Sequence, residues 1–132
     1  MKIYLASFME KKNHGAGDII SIENGRKPLI VDVEKQFKPF TPTIEMVNSY
    51  NSERKENPEK ASTNFILKYN KQLKTECNKI KKAAARRGKT IQEFLPFKDG
   101  DTLASWPRSG FRSHRTLIVP YLEDLGYEVV AN

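Results

Sequence analysis

The residues best suited to chemistry lie in one C-terminal block: Thr102-Leu-Ala-Ser-Trp106, Pro107-Arg-Ser-Gly-Phe-Arg112, then Ser113-His-Arg-Thr-Leu-Ile-Val119. It reads as a short apolar strand, a Pro/Gly loop and a helix opening on Ser113-His114-Arg115. A strand feeding a helix N-terminus gathers free backbone N–H groups at the strand's end, and the helix dipole favours an anion there. Ser113 suits the cap, Arg115 offers a fork for phosphate or carboxylate, and His114 is the ordinary general acid–base candidate. Ser105 and Trp106 stand at the strand end, where ligand crevices of α/β folds form. Trp106 either stacks on a base or plugs the core. Arg108 and Arg112 add positive charge on the loop. The same residues fit a plainer arrangement as well: a capping Ser, a solvated Arg and a His packed against the sheet edge.

A second group sits near the N-terminus. Ser7 ends an alternating segment, and Lys11, Lys12 and His14 follow on a loop bearing Gly15 and Gly17. If the first strand lies beside the Thr102–Trp106 strand, this loop overhangs the same crevice; otherwise it is a solvated loop. His14 and His114 are far apart and lack a carboxylate cluster, so no metal is expected, and no motif asks for a cofactor. The chain carries no carboxylate pair, nucleophile–base motif or Gly-rich phosphate loop of recognisable spacing.

The net charge of +7 is concentrated. Nine cations between Lys68 and Lys89 face a single acid, Glu76, so this segment carries +8 and the rest of the chain −1. Lys68, Lys71, Lys79, Lys82 and Arg86 fall on the side of a helix opposite its apolar stripe, and Lys81, Lys82, Arg86, Arg87 and Lys89 make a dense end. Such a surface tracks nucleic-acid phosphates or docks an acidic protein. It also complements the helix dipole and keeps the helix solvated.

The elements that position these groups follow from patterning. Strands are expected at Lys2–Phe8, Asp18–Ile22, Leu29–Val33, Thr102–Trp106 and Tyr127–Val130, with a turn at Asn24-Gly25. Two prolines make 37–42 irregular. Thr43 caps a helix carrying Ile44, Met46, Val47 and Tyr50. The longest helix spans about 58–87, because Ala61, Phe65, Tyr69, Leu73, Cys77, Ile80 and Ala84 recur at steps of three or four. Pro58 suits its first turn and Gly88 the position past its end. Thr90 caps a short turn to Phe94. A last helix runs from Ser113 to Leu125 and closes on Gly126, with Leu117, Ile118, Tyr121, Leu122 and Leu125 buried, and Pro120 bends or delays it. Strand, helix, strand over fewer than 30 residues with short connections is the pattern of a parallel pair. Residues 1–132 therefore read as a single α/β layered domain, a mainly parallel sheet flanked by helices.

On these residues the chain resembles the YeaO-like domain-of-unknown-function family of small bacterial, archaeal and phage proteins. The resemblance rests on Ala6-Ser7-Phe8, on Phe40-Thr-Pro-Thr-Ile-Glu-Met46, on the long helix with Phe65 and Tyr69, and on the closing block through Leu125-Gly-Tyr-Glu-Val129. The family pattern in the last block is a strand ending in Cys, a loop, and Cys-His-Arg opening a helix. Here Ser105 and Ser113 take the Cys positions while His114 and Arg115 match. The resemblance thus implies the α/β fold and the anion-site geometry without thiol chemistry, in a chain similar in style to phage-encoded members.

Composition bounds the rest. With 38% hydrophobic and 30% charged residues, the chain can bury a normal core. No apolar run approaches the roughly 18 residues of a membrane span, and the first residues are too short for a signal peptide. One cysteine, Cys77, excludes an internal disulfide. The expected setting is the cytoplasm, the host's if the chain is phage-encoded. The expected partner is a nucleotide, a nucleic acid or an acidic protein, and no membrane.

Overall fold

The structure, a computed structural model, describes residues 1–24, 33, 35–105 and 114–131, and of His114 the backbone alone. Five strands form one all-parallel sheet: β1 (Lys2–Ser7), β2 (Ile19–Ser21), β3 (Lys35–Gln36), β4 (Thr102–Ser105) and β5 (Glu128–Ala131), in the order β3-β2-β4-β1-β5. Helices α1 (Ile44–Glu53), α2 (Pro58–Arg86) and α3 (Ile91–Phe94) lie between β3 and β4, and α4 (His114–Leu117) and α5 (Val119–Asp124) between β4 and β5. This is a small α/β fold, as the patterning implies.

Period-two alternation divides the sheet's faces. Ile3, Leu5, Ile20 and Leu103 join one core with Phe65, Tyr69, Leu73, Cys77 and Ile80 of α2 and with Ile118, Leu122 and Leu125. Every member of the α2 stripe foreseen from spacing is buried. Asn57 caps that helix by accepting from the Lys60 N–H, and Pro58 takes the first turn, where a missing N–H costs nothing. Thr43 caps α1 in the same manner, worth about 1 kcal/mol. Thr90 and Glu93 close a reciprocal capping box on α3. The Tyr69 hydroxyl, fully inside, donates to the Phe40 carbonyl and ties α2 to the loop before α1.

The opposite face is covered by the chain that leaves β1. Gly15 N–H donates to Thr102 Oγ1 at 2.8 Å, Gly17 N–H to the Gly100 carbonyl at 3.0 Å, and Asp18 N–H to Asp101 Oδ1 at 2.9 Å. A Cβ on Gly15 would stand 2.1 Å from the Gly100 oxygen and 2.5 Å from the Tyr4 ring. Glycine is thus demanded by close packing at this point, while Lys11, Lys12, Ala16 and Gly17 of the same loop are exposed.

Three expectations need correction, and one strand was not foreseen. β4 and β5 are parallel but not paired, since β1 lies between them, bonded to Thr102–Ser105 on one side and Glu128–Ala131 on the other. The last helix is two helices: α4 stops at Leu117 and α5 restarts at Val119 with Pro120 in its first turn, where proline removes no helical bond. Residues 38–40 form a 3-10 turn rather than irregular chain. A two-residue strand, Lys35–Gln36, pairs with β2 and was not foreseen. The expected strand at 29–33 falls outside the described residues except for Val33, which is not in a strand, and the Asn24-Gly25 turn lies outside them at Gly25. Gly126, at φ +97°, ends α5 in the conformation that glycine permits. Among the described residues no helix is long and apolar enough to cross a membrane.

Candidate functional site

Adjacent strands β1 and β4 end together in register, Ser7 beside Ser105, and both serines are buried. The chain leaving β1 passes over the Tyr4 and Thr102 face, while α4 packs against β1, β4 and α2 on the other. The carboxyl ends of such strands are the usual ligand position in open α/β sheets.

The end of β1 is a tight polar turn. Ser7 N–H donates to Glu10 Oε1 at 3.1 Å, Glu10 N–H returns to the Ser7 carbonyl at 3.2 Å, and Met9 N–H donates to Ser7 Oγ at 3.0 Å. Asn13 Nδ2 holds the other Glu10 oxygen at 3.0 Å. His14 Nε2 stands 2.8 Å from the Ser7 carbonyl, so that nitrogen carries the proton and donates. The Ser7 N–H, with further help from Arg115 and Asn13, holds the Glu10 carboxyl below its ordinary value against the opposing effect of burial.

Arg115, in the first turn of α4, reaches back to β4. Its Nη1 donates to Ser105 Oγ at 2.8 Å and to the Ser105 carbonyl at 3.3 Å, and its Nη2 is 3.8 Å from Glu10 Oε1. The guanidinium is largely enclosed, at 16% side-chain exposure against 40% for Glu10. Burial pulls its pKa down, while Glu10 and then Glu23 favour the charge. Glu23, itself buried, follows the end of β2; its N–H donates to Ser21 Oγ at 3.1 Å and its carbonyl accepts from Gln36 Nε2 at 3.0 Å. The site is therefore one part-buried cation bonded to Ser105, with Glu10 beside it and Glu23 also favouring its charge.

Ser105 and Arg115, expected to act together, are in contact. His114 opens α4 as expected, its side chain lying outside the described residues, as do Trp106, Arg108, Arg112 and Ser113. Lys79, Lys82, Arg86, Arg87 and Lys89 are all exposed on or just past α2, whose opposite face is the core. Lys79 pairs with Glu76 at 3.6 Å, and the Arg87 guanidinium lies 5.5 Å from the Phe94 ring centre. Spacing gave no carboxylate pair, yet Glu10 lies 3.8 Å from the Arg115 guanidinium and Glu23 also favours its charge. The available signal was an acid two or three residues after a strand-ending serine, in Ser7-Phe-Met-Glu10 and Ser21-Ile-Glu23. No group of three or more His, Cys, Asp or Glu among the described residues is placed to hold a metal ion. An open cleft of about 500 Å³ lies apart from Arg115, at the start of α1, lined by Asn24, Lys38, Thr41, Thr43, Ile44 and Glu45. Compared with protein-family models, curated proteins and solved structures, the chain has no match.

Proposed function

We propose that the protein binds a phosphorylated ligand, a nucleotide or nucleic acid, at the carboxyl ends of β1 and β4, around Ser105 and the Ser113-His114-Arg115 turn. The observation that carries this reading is the Arg115–Ser105 contact where β1 and β4 end side by side. Glu10 occupies the guanidinium only loosely: 3.8 Å is an ion pair without hydrogen-bond geometry. A phosphate oxygen at 2.7–2.9 Å makes the stronger, charge-assisted bond and displaces the partly exposed carboxylate. Arg112 and Ser113 complete the anion site in this reading. If the bound ligand is processed, His114 is the proton donor or acceptor and Arg115 stabilises developing negative charge. The resemblance to YeaO-like proteins agrees with such a site, and a cytoplasmic setting, the host's for a phage-encoded chain, belongs to the same proposal.

A thermal-shift series with inorganic phosphate, nucleoside mono- and triphosphates and short DNA tests it. A ligand at about 100 times its dissociation constant adds roughly 2.7 kcal/mol, and Arg115→Lys, which keeps the charge but loses the fork, should reduce the shift. Equal shifts in parent and variant, or none with any ligand, would sink the reading. A second reading, a non-catalytic interaction protein such as a phage-encoded modulator of a host protein, would act through the exposed cations of α2.

A further inference from the structure

We infer that the outer face of α2 is a binding surface for the phosphate backbone of duplex nucleic acid, read without base specificity. The surface is distinct from the Arg115 site, and the inference does not rest on that site. On a helix turning 100° per residue, Lys68, Lys71, Lys74, Lys82 and Arg86 fall on the arc opposite the buried stripe, with Lys79 on its flank. Thr75 and Asn78 lie on the same arc, and no acid stands between its cations. All eight residues are exposed, and Glu76, the single acid of the segment, lies nearer the core side, already beside Lys79.

The arrangement selects among partners. Lys68 to Arg86 spans about 27 Å at 1.5 Å per residue, within one duplex turn of roughly 34 Å. Duplex DNA offers about one negative charge per 1.7 Å of axis, so such a row meets phosphates wherever it lands. Single-stranded nucleic acid would call for an aromatic stacking platform. The large hydrophobic residues exposed among the described residues are Met1, Met9, Ile44 and Leu67, and none is aromatic. A specific protein interface would need buried apolar or aromatic anchors at its centre, and Leu67 is the one such residue exposed on α2. Lys81, by contrast, is tied to Asp124 on α5 and takes no part in the row.

The test is fluorescence anisotropy with a labelled 20-base-pair DNA of arbitrary sequence, from 25 to 200 mM salt. Affinity should fall steeply with salt and be the same for unrelated sequences. Replacing Lys71, Lys82 and Arg86 together with Ala should flatten the log–log slope by about two to three units, at roughly 0.9 per phosphate contact. Removing Lys38, Lys55 and Lys98 instead, three exposed cations elsewhere, should leave the slope unchanged. Absence of binding at 25 mM salt overturns the inference, as does equal flattening by the two triple variants. Tighter binding to single strands, or competition by poly-glutamate as effective as by duplex, also overturns it, the latter assigning the surface to an acidic protein.

Discussion

At the strand ends, the Arg115 guanidinium is enclosed and bonded to Ser105, with Glu10 beside it and Glu23 also favouring its charge. Along α2, Lys68, Lys71, Lys74, Lys82 and Arg86 project into solvent, and none of them forms an ion pair among the described residues. The contrast follows from desolvation. A cation taken out of water must be repaid by hydrogen bonds and countercharge from the fold itself, whereas an exposed one is screened and needs neither. The enclosed cation is consequently held in position and can discriminate among ligands that displace Glu10. The exposed cations are interchangeable and act by their number. One region is built for geometry, the other for charge density.

The sharpest way to break the comparison is to delete the enclosed cation. Arg115→Ala should destabilise the fold by about 1–3 kcal/mol, discounted from the cost of a fully buried pair because Glu10 is partly exposed. Urea melts of parent and variant would measure it, and an unchanged midpoint would mean that the guanidinium is as dispensable as a surface lysine. Glu10→Gln keeps the acceptor for the Ser7 N–H and removes only the countercharge. It should tighten phosphate binding about two- to five-fold, the equivalent of roughly 0.5–1 kcal/mol, as read by titration calorimetry.

Acid should weaken the strand ends selectively. The Glu10 carboxyl is held below its ordinary value of 4.5, first by the Ser7 N–H and then by Arg115 and Asn13. Its folded pKa is thus depressed relative to the unfolded chain. The contribution is complete above the ordinary value and is lost as pH falls from about 4.5 through the lowered folded value. Melting temperatures from pH 7 to pH 3 should show an additional fall in the parent that Glu10→Gln lacks. Parallel curves would show that the pair contributes nothing. The smallest effect belongs to the outer face of α2: the Lys71, Lys82 and Arg86 triple Ala variant should shift stability by no more than about 0.5 kcal/mol per site while changing salt-dependent binding. A large loss of stability would show that these side chains pack rather than merely project.

What could be read from sequence was local. The α2 stripe, the Thr43 and Thr90 caps and the disturbance at Pro120 depend on neighbours within a turn or two, where helical periodicity speaks directly. Strand order was not local. That β1 separates β4 from β5 is decided by contacts across the whole chain, and a short strand–helix–strand pattern reads the same whether or not a third strand intervenes. The candidate site divides along the same line. Ser105 and Arg115 are ten residues apart, and their contact was legible from the strand-to-helix connection. Glu10 and Glu23 follow two other strands, so nothing in their own neighbourhoods announced that both would favour the Arg115 charge. The β3 strand has two residues, too few for any periodicity to register.

The position of β1 also sets an order of events during synthesis. Tyr4 finds its neighbours in Thr102 and Val130, so both edges of a strand made early wait for segments made late. By then α1 and α2, whose contacts are close in sequence, can already have formed and offered their apolar faces to Ile3 and Leu5. A nascent chain halted short of residue 102 carries that strand with neither edge bonded, a ready template for pairing with another chain. The segments from Thr102 onward are therefore what close the sheet, by covering both edges of β1.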